Sequence, residues 1–223
     1  MPMRTSAGWI EEYKRKEALW FHDGNLDRPH ALLTSGNHSS GFFNSRPVIE
    51  DEALLREAAS DLVDRLIELG GSIQSPDCVV GPQTGATKLA EFVAKEIERR
   101  RGRPCQWASP AKAGEGKDKK MIFDDPNPLF LFSKIVLLIE DVLTTGGSVE
   151  LTNEAVEAAG GWAQPFILVL VNRSGMTEVN GRKIVALIDQ EMPIWPPAEC
   201  PLCPKSEAIR PKGENWARLN ATY

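Results

Sequence analysis

The stretch Ile135-Val-Leu-Leu-Ile139-Glu140-Asp141-Val-Leu-Thr144-Thr145-Gly146-Gly147-Ser148 passes from an unbroken apolar block into two adjacent carboxylates and then a turn of small and hydroxylated residues. An apolar block of this kind is the mark of a strand buried on both faces, as in a parallel sheet. Helix-forming sequence follows over 149–159 and stops at Gly160-Gly161. The turn therefore lies between a buried strand and a helix N-terminus, where backbone N–H groups and the helix dipole favour an anion. Thr144, Thr145, Gly146, Gly147 and Ser148 can close around a phosphate there. Glu140 and Asp141, at the carboxyl end of the strand, can accept hydrogen bonds from sugar hydroxyls. A phosphate grip beside a diol grip describes a ribose 5-phosphate site. A plain turn with a Thr or Ser helix cap leaves unexplained why paired acids stand where α/β sheets place their ligands.

The same alternation continues outward. The spacing predicts helices over 8–19, 51–69 and 85–100, and strands over 78–81, 104–108, 135–139, 165–171 and 184–188. Strands alternating with helices imply βαβ units, and so an α/β fold with a doubly wound, mainly parallel five-stranded sheet. One domain over 1–223 is expected, with its core in 51–189 and a small hood built from peripheral segments 1–50 and 190–223. Residues 31–44 read as two short extended segments joined by a polar Ser/Gly turn. Residues 109–120, rich in Gly, Lys and Ala, read as a mobile surface loop. The tail from Met192 is too proline-rich for a helix or sheet interior, so it is expected to wrap the surface, anchored by Trp195 and Trp216.

Composition sets bounds on function. The 223 residues are 42% hydrophobic and 26% charged, ordinary for a globular domain. A net charge of −5 argues against a nucleic-acid binder or a protein held on an anionic membrane. No apolar run approaches the ~18 residues of a membrane span, and the N-terminus lacks an apolar signal core, so a cytoplasmic setting is expected. Four cysteines are too few for a disulfide scaffold. Cys78 and Cys105 read as core thiols. Cys200-Pro-Leu-Cys203 is a single C-x-x-C, with neither a second pair nor any His after His38, so a local structural role is expected rather than a metal or redox one.

Other segments carry chemistry. Val79-Val-Gly81-Pro-Gln83-Thr84-Gly85-Ala86 is a strand ending in a tight turn before a helix, able to hold a second anion such as diphosphate. It is not a Walker A loop, and the chain has no G-x-G-x-x-G. Lys112, in the glycine-flanked loop, can close over a polyphosphate and stabilise departing charge. Arg99, Arg100 and Arg101 read as a solvated helix end. Phe42 and Phe43 are adjacent on an extended segment and so point to opposite faces; one at most can stack on a ligand. Arg173 follows the fourth strand, on the same sheet edge as Asp141, where a guanidinium can read an anionic or carbonyl-rich ring.

The ordered string Glu140 to Ser148, with Gln83-Thr84-Gly85, Ser35-Gly36 before Phe42-Phe43, Lys112 and Arg173, resembles the type I phosphoribosyltransferases, and among them the orotate phosphoribosyltransferases. The likeness runs from about Leu32 to Asp189. It implies that residues 144–148 hold the 5-phosphate of phosphoribosyl diphosphate (PRPP), Glu140 and Asp141 its ribose, and Thr84 and Gly85 its diphosphate. It implies that Phe42 or Phe43, Thr144 and Arg173 position orotate, and that Lys112 assists the leaving group. It further implies Mg²⁺ carried on PRPP oxygens, with no metal bound directly by the protein, and a homodimer. A purine or uracil acceptor, or a PRPP-sensing regulator with little catalysis, are the alternatives. The chain departs from many members in having Thr34 before the Ser-Gly turn, Thr84 in the diphosphate turn, and Ser109-Pro110 where a loop Arg-Lys pair stands.

Overall fold

The structure is a computed structural model that describes residues 3–127 and 129–223; residues 1, 2 and 128 and the side chain of Lys117 lie outside that description. The N-terminal segment holds α1 (Ser6–Arg15), β1 (Leu19–Phe21), β2 (His30–Leu32), β3 (His38–Ser39) and β4 (Gly41–Phe43). Then come α2 (Arg46–Glu50), α3 (Glu52–Glu68), β5 (Cys78–Val80), α4 (Thr87–Arg101), β6 (Gln106–Ala108), β7 (Ala111–Ala113) and β8 (Lys120–Ile122). The chain continues through β9 (Ile135–Leu143), α5 (Gly147–Ala158), β10 (Trp162–Asn172), β11 (Glu178–Val179) and β12 (Arg182–Asp189). It ends in β13 (Ile194–Trp195), β14 (Ala208–Ile209) and α6 (Glu214–Asn220).

The central sheet has the order β11-β12-β10-β9-β5-β6. Five of its strands, β12, β10, β9, β5 and β6, run parallel, and β11 adds a short antiparallel edge. β9 shows why its sequence is apolar without interruption. Leu137 and Ile139 face a core shared with Leu55, Leu62 and Leu66 of α3 and Leu89, Val93 and Ile97 of α4. Val136 and Leu138 face the opposite core with Val149 and Val156 of α5. Both faces are covered by helices, so neither can be polar. Asp51 caps α3 by accepting from the Leu54 amide at 3.1 Å. Arg100 joins Glu96 of α4 at 2.6 Å and Asp64 of α3 at 2.5 Å, so this arginine is structural. Cys78 and Cys105 are buried, and burial pushes their thiols up to about 12 and about 11.

Two segments carry more regular pairing than their composition suggests. In the 109–120 loop and just beyond it, β7 and β8 form an antiparallel hairpin closed by a 3₁₀ turn over Gly116–Asp118. Met121 of β8 is buried, and β8 packs on α5. One large apolar residue in the return strand thus ties the hairpin down. The tail, too, enters a sheet. β13 and β14 flank β3 and β2 in a second, four-stranded sheet of order β13-β3-β2-β14. Each added strand is only two residues long, and prolines 193, 196 and 211 bracket the pairs rather than interrupt them. The tail is anchored by the Trp216 indole, which donates to the Glu17 carbonyl at 3.1 Å, and by Leu219, whose carbonyl accepts from Trp20 at 2.7 Å. Among the described residues no helix is long and apolar enough to cross a membrane.

α1 is fastened to α3 by a buried carboxylate: Asp61 accepts from the Trp9 indole at 2.9 Å and from the Arg4 amide at 3.0 Å. Replacing Asp61 by Ala leaves the fully buried Trp9 N–H without its acceptor. The expected loss of stability is about 1–3 kcal/mol, read as a lower urea midpoint with an unchanged slope.

Candidate active site

β9 runs to Leu143, beyond the expected end at 139, so Glu140 and Asp141 belong to the strand itself. Successive residues on a strand face opposite sides, and the two acids are held differently. Glu140 is 6% exposed, with Oε1 accepting from the Asp141 amide at 3.1 Å. Burial, and then the charge of Asp141, hold its carboxyl well above the usual range, while Lys112 acts in the opposite sense. Lys112 lies exposed on β7 and already within electrostatic reach of Glu140. Asp141 is half-buried and turns toward the loop that joins β5 to α4.

That loop is where the second predicted turn lies. Gly85 packs directly on the Asp141 carboxylate: a β-carbon placed on Gly85 would stand 2.7 Å from Oδ2 and 2.9 Å from Oδ1. Contacts this short do not occur at real β-carbons, so a side chain at residue 85 would push the Asp141 carboxylate out of this position. The Gln83–Thr84 peptide is cis. The turn is braced from the base of the β7–β8 hairpin. Ser109 Oγ donates to the Gly81 carbonyl at 2.6 Å and accepts from Thr87 Oγ1 at 2.7 Å. Gln83 donates its amide to the Pro110 carbonyl at 2.9 Å and its side chain to the Ser109 carbonyl at 3.0 Å.

On the other side of Asp141, residues 144–146 form the turn and α5 begins at Gly147. Gly146, at φ 82°, holds the left-handed conformation that reverses the chain into the helix. No side chain caps α5, and no backbone carbonyl among the described residues accepts from the amides of Thr145, Gly146, Gly147 or Ser148. These are the orphan donors of a helix start, gathered at the end of the strand that carries the acids.

Arg173 follows β10, and its amide donates to the Leu143 carbonyl at 3.0 Å, so it leaves the sheet beside the turn. Its side chain is 2% exposed and reaches the smaller sheet, donating from Nη2 to Ser39 Oγ at 2.6 Å. Nε has no acceptor, and no carboxylate among the described residues pairs with the guanidinium. Burial alone pushes Arg173 down to about 10. The two phenylalanines divide as opposite faces require. Phe43 is a core residue, edge-on to Tyr13 at 5.3 Å, so a place for it against a ligand is corrected to a packing role. Phe42 is half-buried and lies against Trp216 at 6.0 Å.

The structure thus brings Gly85, Asp141, Glu140, Lys112, the 144–148 turn and Arg173 to one end of the sheet. No model of a protein family matches the chain. An orotate phosphoribosyltransferase of Thermus thermophilus is 32% identical over 185 residues, 83% of this chain and 92% of that protein. Another, of Heliobacterium modesticaldum, is 31% identical over 183 residues, 82% of this chain and 88% of its relative.

The chain belongs to the orotate phosphoribosyltransferase family.

Solved structures give the same fold. The orotate phosphoribosyltransferase of Aeropyrum pernix superposes with a TM-score of 0.55 at 24% identity, covering 80% of this chain and 91% of that one. The Mycobacterium tuberculosis orotate phosphoribosyltransferase gives 0.54 at 18% identity, covering 81% and 95%. Two polar residues of this family member's site were missed from sequence. Ser109 carries no motif of its own, although its position just after a strand at the ligand edge was a usable signal. Ser39 meets Arg173 across 134 residues of chain, which no local pattern encodes.

The raised Glu140 carboxyl makes a stability prediction. A folded-state pKa above the unfolded value contributes stability that is complete below the ordinary carboxylate range and is lost as pH rises through the folded value. Glu140→Gln, permanently uncharged, is therefore expected to raise the melting temperature of the ligand-free protein at neutral pH. The gain should shrink toward acidic pH, as measured by thermal melts across a pH series.

Proposed function

We propose that the protein transfers the 5-phosphoribosyl group of PRPP to orotate, giving orotidine 5'-phosphate and diphosphate. The observation that carries the choice of acceptor is Arg173. A buried guanidinium without a carboxylate partner is costly, and an anionic ligand beside the 144–148 turn offsets that cost. Orotate bears a carboxylate, whereas uracil and the purines do not. The names of the relatives support the same acceptor.

On this reading the orphan amides of residues 145–148, with the hydroxyls of Thr144, Thr145 and Ser148, hold the 5-phosphate. Asp141 and Glu140 accept from the ribose hydroxyls. Thr84 and Gly85 receive the diphosphate. The orotate ring nitrogen forms a bond to C1 of the ribose as the C1–oxygen bond to diphosphate breaks, through an oxocarbenium-like transition state. The chain's contribution is to align the reactants, worth roughly 7–11 kcal/mol in favourable cases, and to meet charge as it develops. Lys112 stands ready to stabilise the departing diphosphate. Arg173 holds the orotate carboxylate, with Thr144 at the ring and Phe42, half-buried and close in sequence to the Ser39 that Arg173 contacts, as the aromatic partner.

The residues present fit Mg²⁺. Two adjacent acids, one of them buried and set beside the charge of the other, favour a ligand that arrives with a hard cation on its oxygens. When bound, Mg²⁺ supplies positive charge to the diphosphate. The resemblance also implies a homodimer in the cytoplasm. Trp162, 72% exposed, and Phe132, both beside the Gly160–Gly161 turn, supply an apolar surface for a second copy.

The test is diphosphate release from PRPP with orotate, uracil, hypoxanthine and adenine in turn. Turnover with orotate alone is expected. Turnover with a neutral base but not with orotate overturns the acceptor, and PRPP binding without any turnover makes the protein a sensor. In Arg173→Leu, loss of a charge-assisted contact should raise the KM for orotate roughly 10- to 200-fold while PRPP affinity stays near wild type.

A further inference from the structure

The C-x-x-C pair of the tail does not stand alone. The fold brings Cys200 and Cys203 against His30 of β2 and His38 of β3, residues more than 160 positions away in sequence. The two histidines lie on neighbouring antiparallel strands, where Leu32 pairs with His38 and Ala31 with Ser39, so both rings leave the same face of the smaller sheet. The cysteines come from the loop between β13 and β14, the outer strands of that sheet. Donor atoms of all four residues lie within 4.8 Å of one another.

Four of the six donor–donor distances lie within about half an ångström of those between ligands around one ion. His30 Nε2 is 3.1 Å from His38 Nδ1, 3.4 Å from Cys200 Sγ and 3.6 Å from Cys203 Sγ; Cys203 Sγ is 3.1 Å from His38 Nδ1. Tetrahedral zinc, with Zn–S of about 2.3 Å and Zn–N of about 2.0–2.1 Å, requires nitrogen–nitrogen edges of about 3.3 Å and sulfur–nitrogen edges of about 3.6 Å. Ser206 is placed to hold the His30 ring in the tautomer that a metal ligand needs. Ser206 Oγ donates to the Leu202 carbonyl at 3.3 Å, leaving its lone pair to accept from Nδ1–H of His30 at 2.8 Å. Nε2 therefore turns its lone pair to the other three donors, an arrangement common around metal-ligating histidines. His30, His38 and Cys200 are buried, and all four cysteines of the chain are free thiols.

We propose that His30, His38, Cys200 and Cys203 bind one structural zinc ion. Two imidazoles and two thiolates suit zinc and leave no open coordination position. The ion would staple the proline-rich tail to the N-terminal strands, closing a loop that spans most of the chain. Local sequence hid the site because half of its ligands precede the core and half follow it. The staple also reaches the substrate end of the molecule, since His38 adjoins Ser39, the residue that accepts from Arg173. Zinc would thus hold in place the strand on which Arg173 rests.

The test is metal analysis of untagged protein purified without chelators, with one zinc per chain expected. Replacement by cobalt should give the intense visible absorption of a tetrahedral ion and a thiolate charge-transfer band. Zinc should protect Cys203, the exposed cysteine, from alkylation, and its removal should lower the melting temperature. Should Cys203→Ser fail to fold, Ser206→Ala keeps all four ligands and is expected to weaken zinc binding about 10- to 100-fold. Protein that gains no thermal stability and no thiol protection from added zinc overturns the proposal. So does protein isolated with a Cys200–Cys203 disulfide that zinc cannot replace after reduction.

Discussion

The site depends on one close approach: the backbone of Gly85 lies against the carboxylate of Asp141, which a side chain on residue 85 would displace. Two βα turns of a parallel sheet, after β5 and after β9, are thereby drawn together. Each turn alone is an ordinary way to begin a helix. Brought into contact, they put backbone donors, a half-buried acid and a buried acid around one space. Adjacent placement of β5 and β9 in the sheet makes this possible, and Ser109 holds the arrangement from the next strand outward.

Charge explains the rest of the pocket. Glu140 is an acid whose ionisation burial opposes, and Arg173 is a buried cation without a counter-ion among the described residues. Neither is a comfortable state for a folded chain left to itself. Both are intelligible when a ligand brings compensating charge: sugar hydroxyls and a cation for the acids, a carboxylate for the guanidinium. The price in stability falls on the free protein, as expected where residues serve a ligand rather than the fold.

The central sheet was legible in the sequence because β9 and β10 are covered on both faces, so their apolar runs could mean little else. The five parallel strands and the helix at 147–158 follow from local pattern. The turn at 144–148 was legible for the same reason, its residue types having few uses after a buried strand. What local pattern did not convey was long-range pairing. The two-residue strands at 194–195 and 208–209 are too short to have a period, and they exist only because β2 and β3 offer them edges. The hairpin at 111–122 hid behind its lysines and glycines, with Met121 as its single apolar anchor. Ser39 and the His30–Cys203 cluster depend on that same second sheet, so they became visible only once its strands were paired.

The central claim is that the Gly85–Asp141 approach builds the PRPP pocket, and calorimetry tests it most directly. PRPP with Mg²⁺ is titrated into the wild-type protein and into Gly85→Ala, whose melting temperature is measured alongside. The account predicts one PRPP per chain for the wild type and a marked loss of affinity in a variant that remains folded. Equal affinity in the two proteins, or no PRPP binding by the wild type, would contradict it.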